Sequence, residues 1–594
     1  MDTTAPGGKG MNILFMALGA VSIAFHIGLI FSGLVPNLVA RPLHMLLALP
    51  WVFVFAAGTG WRRWSDIALF VLGAASCLYI VLNETALSDQ YGALEGPLQL
   101  VIAWTLLLVV LEMARRAIGW PLPLVALLAL LYGLFGEYLP GELGHPGLPV
   151  ASFLGTLTIA EGGIWGSLTG ISVNIVAIFV IMGAVLNAGE AGQGFMNLAA
   201  AAAGRLRGGA AKVSVLSSAF FGSISGSASA NVASTGAITL PAMKRLGYPP
   251  ALAGAVEAVA SSGGQIMPPL MGAGAFVMVE LTGTPYTGIV TAALLPAILY
   301  FAAVWIGINA FARRFELKGL AAEDRPARRT VVITTLFFAV PFAVLLERMF
   351  LGGYTPQYAA CVAILVAFVM LFVDARLSFD MGRTLERLGS VAVNAGQQIA
   401  MIAAIILCAS IVIGVLGQTG LGVKITSLIL SASGDTLWPA LLLTALACLI
   451  LGMEVPTTAA YVICVSVAGP ALQKLGLVPL QAHLFVFWFA LLSTITPPVC
   501  GAVFIAAGMV EADWLRVAAR AMMLGIGLYL IPLGMIANPA LIALATDPAM
   551  ALLAALKIGI GLAMVSHGVI RPAARWLRGG LIAAGLAVLL TPLG

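Results

Sequence analysis

Long apolar blocks near residues 11–34, 43–59, 66–82, 97–114 and 121–139 follow one another with only short polar breaks between them. The breaks are Arg41-Pro42, the run WRRW at 61–64, Asn83-Glu84 and Arg115-Arg116. A helix needs roughly 20 apolar residues to cross a bilayer, so residues 1–140 predict a bundle of membrane-spanning helices. Tryptophans beside arginines suit the headgroup level, where amphipathic rings and long cationic chains anchor. The first block is too long for a signal-peptide core and carries no convincing cleavage site, which predicts a retained first helix.

After the linker PGELGHPG at 140–147 the texture changes. Glycine, serine, threonine and paired prolines invade the apolar runs of residues 150–540. This larger unit repeats itself. PAMKRLGYPP at 241–250 returns as PALQKLGLVP at 470–479, an offset of 229 (470 minus 241). The same offset carries IMPPLMGA at 266–273 onto ITPPVCGA at 495–502 without a gap. Upstream, Gly183 and Gly189 match Gly414 and Gly420 at an offset of 231. Two copies, about 170–310 and 400–535, therefore share one plan. Beyond them, runs near 549–569 and 576–592 predict two further crossings in a C-terminal segment, 545–594.

Each copy has a central segment that does not fit a straight helix. Residues 213–243 lie between Arg205, Arg207 and Lys212 on one side and Lys244 and Arg245 on the other. As one helix they would span about 46 Å against a hydrocarbon core of about 30 Å. They would also put basic clusters on both faces, against the positive-inside tendency. A re-entrant helical hairpin, with its tip in the small polar run GSISGSASAN at 222–231, removes both conflicts. The equivalent segment of the second copy, about 440–473, is flanked only by Asp435 and Lys474, which suits the outer face. Hairpins dipping from opposite faces make the copies inverted repeats, a common plan of secondary transporters with the site near the midplane.

Composition sets the class. Of 594 residues, 61% are hydrophobic and 9% charged, with a mean hydropathy of +1.06; soluble chains carry about 25% charged residues. A soluble enzyme, a nucleic-acid binder and a secreted protein are excluded. The expected fold class is an all-α polytopic membrane protein, multi-pass in a bacterial inner membrane and monomeric. The net charge of +5 reflects loops such as 313–329, which is expected to face the cytoplasm. Six cysteines stand singly in apolar runs, so neither a zinc site nor a disulfide framework is suggested.

Chemistry is expected at the hairpin tips. Backbone that leaves the helix at membrane depth must be buried or line a polar cavity. There, free N–H groups at half-helix starts attract anions, while unwound carbonyls and hydroxyls coordinate sodium. Substrate contacts are expected from Ser223, Ser225, Gly226 and Ser229 in the first tip and from Pro456 and Thr457 in the second. One sodium site is expected near Ser225, Ser227 and Asn231 with carbonyls around Gln265 and Met267, and another near Thr457, Thr458, Thr494 and Thr496. Small hydroxyl residues also let helices pack closely, but four such clusters at repeat-related places favour a transport site.

Ionisable groups at membrane depth are functional candidates by default. Glu257 and Glu454 are candidates for charge coupling, set against structural pairing and a hydrated tip respectively. Glu161 is expected to be structural, Glu280 to reach the interface, and His483 to be a hydrogen-bonded core residue. No arginine except Arg245 falls between 213 and 310, and none between 388 and 512. A bound carboxylate must therefore be neutralised by sodium, helix N-termini and hydroxyls.

These residues also carry a resemblance. GSISGSASANV at 222–232, GAVEAVASSGGQIMPPLMG at 254–272, PTTAAY at 456–461, AHLFVF at 482–487 and ITPP at 495–498 resemble the large permease subunit of TRAP transporters. They are most similar to the TAXI-type branch, in which small and large membrane subunits are fused. The resemblance runs from about Glu161 to Gly508; the N-terminal bundle fits the small subunit more loosely. It implies an elevator-type, sodium-coupled importer of organic anions of the dicarboxylate or 2-oxo/amino acid class. It also implies a separate periplasmic TAXI-type substrate-binding protein, with no cofactor beyond the coupling ions. Glu454-Val455 departs from the glycine and leucine usual before the Pro-Thr-Thr of this family.

Two other readings compete. A carrier that works without a binding protein would not need the fused N-terminal bundle. An intramembrane serine protease needs a base within hydrogen-bond reach of its nucleophile, and of the five histidines only His483 stands near the serine clusters. His-Glu-x-x-His and phosphate-loop patterns are absent, which removes metalloprotease and ATP-driven pump readings.

Overall fold

The computed structural model describes residues 9–55, 61–452, 456–498, 500–571 and 574–593, and only the backbone at 9–12, 61 and 225. Among these residues the chain is helical, with a lone bridge between Val373 and Phe379 and no sheet. Eleven of the described helices are long and apolar enough to cross a membrane, five of them before residue 140. The chain is an all-α, multi-span membrane protein.

The early helices, Lys9–Phe31, Asn37–Pro50, Gly96–Ile118 and Pro121–Phe135, gather against one helix of the larger unit, Met381–Thr419. At 39 residues it is about 58 Å long, nearly twice the thickness of the hydrocarbon core. Small residues set the close approach. A β-carbon at Gly19 would collide with the Ala392 backbone, and one at Gly396 with the Trp51 ring. Polar ties reinforce the joint. Arg41 pairs with Glu161 at 3.2 Å and also donates to the Trp165 carbonyl, while Asn37 donates to Glu161 at 2.7 Å. Glu161 is thus part of the seam between the two units.

The first segment too long for one crossing is a helical hairpin. Its arms, Gly209–Ser225 and Ala228–Arg245, are broken by Gly226 at φ 61°, a left-handed conformation that glycine adopts without a β-carbon penalty. Ser227 caps the second arm, its hydroxyl oxygen accepting from the Ala230 N–H at 3.3 Å. Side-chain pairing shows the arms to be antiparallel. Ser218 lies 3.2 Å from Thr235, while Ser214 and Thr239 converge on the same carboxylate, so both pairs are symmetric about the break. At the open end the Ala211 N–H donates to the Tyr248 hydroxyl at 3.4 Å, which brings the Lys212 and Lys244 regions to one end of the molecule. The second hairpin packs Leu437–Leu451 against Thr457–Lys474.

The two copies agree element by element. An offset of 229 carries Ala228 onto Thr457 and Arg245 onto Lys474, the first and last residues of the second arms. It carries Pro250 onto Pro479, where the helices Pro250–Gly264 and Pro479–Leu492 begin. The cis peptide Pro268-Pro269 falls on the cis peptide Pro497-Pro498, and left-handed Gly247 on Gly476. Among the described residues the C-terminal segment holds two helices, the first of them Pro548–Ile570. Arg575–Leu590, 16 residues and about 24 Å long, stands at the run expected at 576–592 and packs along Pro548–Ile570.

Candidate functional site

The tips of both hairpins meet at one cavity of about 960 Å³. Its wall is paired by the repeat. At the offset of 229, Ser227 matches Pro456, Ala228 matches Thr457, Ser229 matches Thr458, Gln265 matches Thr494 and Ala273 matches Ala502, and all ten residues belong to the wall. The second arms begin at Ala228 and Thr457. Two helix N-termini therefore face the cavity, with first-turn N–H groups that lack helical partners and the positive end of each macrodipole. The Thr494 hydroxyl lies 2.8 Å from that of Ser262, a contact between the copies. No described wall residue is charged. The chemistry on offer to an anion is N–H groups, hydroxyls and amides, a combination suited to a carboxylate.

Several expected residues lie elsewhere. The Ser223 hydroxyl donates back to the Phe220 carbonyl at 2.7 Å, outside the wall. Asn231 is wholly buried, donates to the Ser218 carbonyl at 3.0 Å, and lies against Gly222 and Gly264. Thr496 shares a 2.7 Å hydrogen bond with Tyr529, and Met267 also stands outside the wall. The Ser225 side chain and Glu454 lie outside the described residues.

Glu257 sits behind the first tip, fully buried. Its carboxylate meets Ser214 at 2.8 Å and Ser261 at 3.3 Å, together with the hydroxyls of Thr235 and Thr239. These hydroxyls draw both arms of the hairpin and the neighbouring helix onto one acceptor. Glu280 is exposed at its helix end, and His483 is a buried residue with Nδ1 2.8 Å from the Tyr461 hydroxyl.

The far wall was missed by the sequence reading. Asn394, Gln398, Met401, Ile402 and Ile405 of the long helix, with Asn187, complete the cavity. Their spacing of three and four marks one helical face. Two amides one turn apart in an apolar helix were the available signal.

A multi-span helical chain with two hairpin tips closing on one cavity, lined by apolar side chains with hydroxyls and amides among them and by no charge among the described residues, has the architecture of a membrane carrier. A family model described as "Tripartite ATP-independent periplasmic transporter, DctM component" matches residues 105–550, and the chain belongs to that family. The match begins inside Gly96–Ile118, upstream of the composition change at 140–147. Among curated relatives, the chain is 28% identical over 333 residues to the C4-dicarboxylate TRAP transporter large permease protein DctM of Pseudomonas aeruginosa, covering 54% of this chain and 74% of the relative. It is 27% identical over 406 residues to the isethionate TRAP transporter permease protein DctMQ of Oleidesulfovibrio alaskensis, covering 65% and 61% respectively. It is also 25% identical over 331 residues to the 2,3-diketo-L-gulonate TRAP transporter large permease protein YiaN of Escherichia coli, covering 54% and 74%. The protein is a secondary transporter of organic acids in the bacterial inner membrane, of a family that works with a periplasmic substrate-binding protein. It is a permease and not an enzyme, which removes the protease reading.

Proposed function

We propose that this permease imports a small organic anion of the dicarboxylate or 2-oxo/amino acid class, driven by sodium and delivered by a TAXI-type binding protein. The observation that carries the reading is the cavity wall, paired by the repeat, with hydroxyls at both tips and without a described charge. An anion held there needs a counter-charge, and sodium supplies one where hydroxyls and unwound carbonyls converge. The relatives named for C4-dicarboxylate, isethionate and 2,3-diketo-L-gulonate support an acidic substrate.

In this account one sodium lies at the first tip, with Ser225, Ser227 and the Gln265 region as ligands. A second lies at Thr457, Thr458 and Thr494. The copies are inverted, and the hairpins with their companion helices move as an elevator. The frame is the N-terminal bundle, residues 1–140, with the long helix Met381–Thr419. The Asn394–Ile405 face of that helix is the stationary wall.

Sodium titration of uptake tests the ion sites. Ser227→Ala and Thr458→Ala are each expected to raise the sodium concentration for half-maximal uptake roughly tenfold, the scale of one lost oxygen–cation contact. An unchanged sodium requirement in both variants contradicts the assignment.

A further inference from the structure

A second cavity, of about 340 Å³, lies where the helices Tyr286–Arg314 and Pro548–Ile570 end side by side. Its wall carries Asn309, Arg313 and Arg314 from the first helix, and His567 and Arg571 from the end of the second. The spacing explains the convergence: 309 and 313 are one turn apart on one face, and so are 567 and 571. Among the described residues no carboxylate lies within ion-pair distance of Arg313, Arg314 or Arg571. Arginine stays charged at any physiological pH. A helix C-terminus attracts a cation, which accounts for an arginine at each end but not for three around one concavity. Such a cluster calls for an anion.

Its place in the fold selects the anion. Arg313 and Arg314 open the basic segment 313–329, which is tied to the open end of the first hairpin by the Gly208 N–H and Leu317 carbonyl at 3.2 Å. By charge this is the cytoplasmic face. Trp576, exposed, stands in the first turn of the next helix, Arg575–Leu590, at the level where indole rings mark the headgroups. The outer flanks of the same two helices are apolar and exposed at Ile298, Leu556 and Ile560, a surface for acyl chains. We propose that this pocket holds the phosphate of an anionic lipid from the cytoplasmic leaflet, as basic pockets between membrane helices do elsewhere.

Lipid retention by the full-length protein, purified from nanodiscs and weighed by native mass spectrometry, tests this. The probes are phosphatidylglycerol, zwitterionic phosphatidylcholine and millimolar inorganic phosphate. Wild type is expected to retain phosphatidylglycerol in preference to phosphatidylcholine, with no displacement by phosphate. Arg313→Gln with Arg571→Gln is expected to lose retention at least about tenfold, since each arginine near a membrane surface contributes roughly fivefold. The corresponding pair of lysine variants is expected to keep most of it. Arg313→Gln alone serves if the double variant does not fold. Equal retention of phosphatidylglycerol by wild type and the glutamine variants overturns the proposal. Displacement of the lipid by inorganic phosphate also overturns it, and makes the pocket a site for a soluble anion.

Discussion

Thr494 and Ser262 bring the two copies of the repeat into contact, their hydroxyls 2.8 Å apart at the cavity. Thr494 is the repeat counterpart of Gln265, another wall residue. A hydrogen bond of this kind contributes about 0.5–1.5 kcal/mol net. Thr494→Val is expected to lower the melting temperature by only a few degrees while depressing uptake strongly, because Thr494 also lines the cavity. A double-mutant cycle with Ser262→Ala, read by thermal stability, should give a coupling of at least about 0.5 kcal/mol. Additivity within error would show that the contact joins nothing.

The antiparallel first hairpin predicts a labelling pattern. Arg207 and Lys244 are exposed on either side of it, and the six native cysteines are buried. Cysteines placed at 207 and 244 should react with an impermeant maleimide from the same side, the cytoplasm. Cysteines at exposed Asp435 and Lys474, flanking the second hairpin, should react only from the periplasm. Labelling of all four from one side would contradict the inverted arrangement.

Glu257 is held by hydroxyls from three helices. Glu257→Ala leaves those donors without their acceptor and is expected to cost about 3 kcal/mol or more. Glu257→Gln keeps one acceptor oxygen and should recover most of the folded yield. If Glu257→Gln folds normally and its sodium cooperativity is that of wild type, the carboxylate is structural. A lost sodium step in that well-folded variant would place its charge in the coupling.

On the long helix, Gln398 and Asn394 offer two amide groups of the wall away from the hairpins. Gln398→Leu is expected to raise the substrate concentration for half-maximal uptake roughly tenfold, as when a polar contact is left unmade. Its sodium requirement should be unchanged, since no sodium ligand is removed. A shift in sodium dependence alone would move this face from substrate to ion.

The hairpins and the repeat were legible because glycine and proline fix where a helix breaks, and Gly247 and the Pro-Pro pair recur at the offset of 229. Gly226 and the Pro-Pro pairs stand where a straight helix cannot continue. What the sequence did not show is which way each tip residue turns. Ser223 satisfies its hydroxyl on its own helix, as serine in helices often does. Asn231 fills a narrow space beside Gly222 and Gly264 that only tertiary packing creates. Asn394 and Gln398 escaped notice because they sit on an unbroken helix, upstream of the second copy, where no break draws attention.

The central claim is that the repeat-paired cavity carries an organic anion together with sodium. Uptake of a labelled C4-dicarboxylate and a labelled 2-oxo acid into proteoliposomes, with the binding protein supplied outside, tests it most directly. The account predicts accumulation only when an inward sodium gradient and the binding protein are both present, and its loss when potassium replaces sodium. Equal uptake with and without the sodium gradient would contradict it.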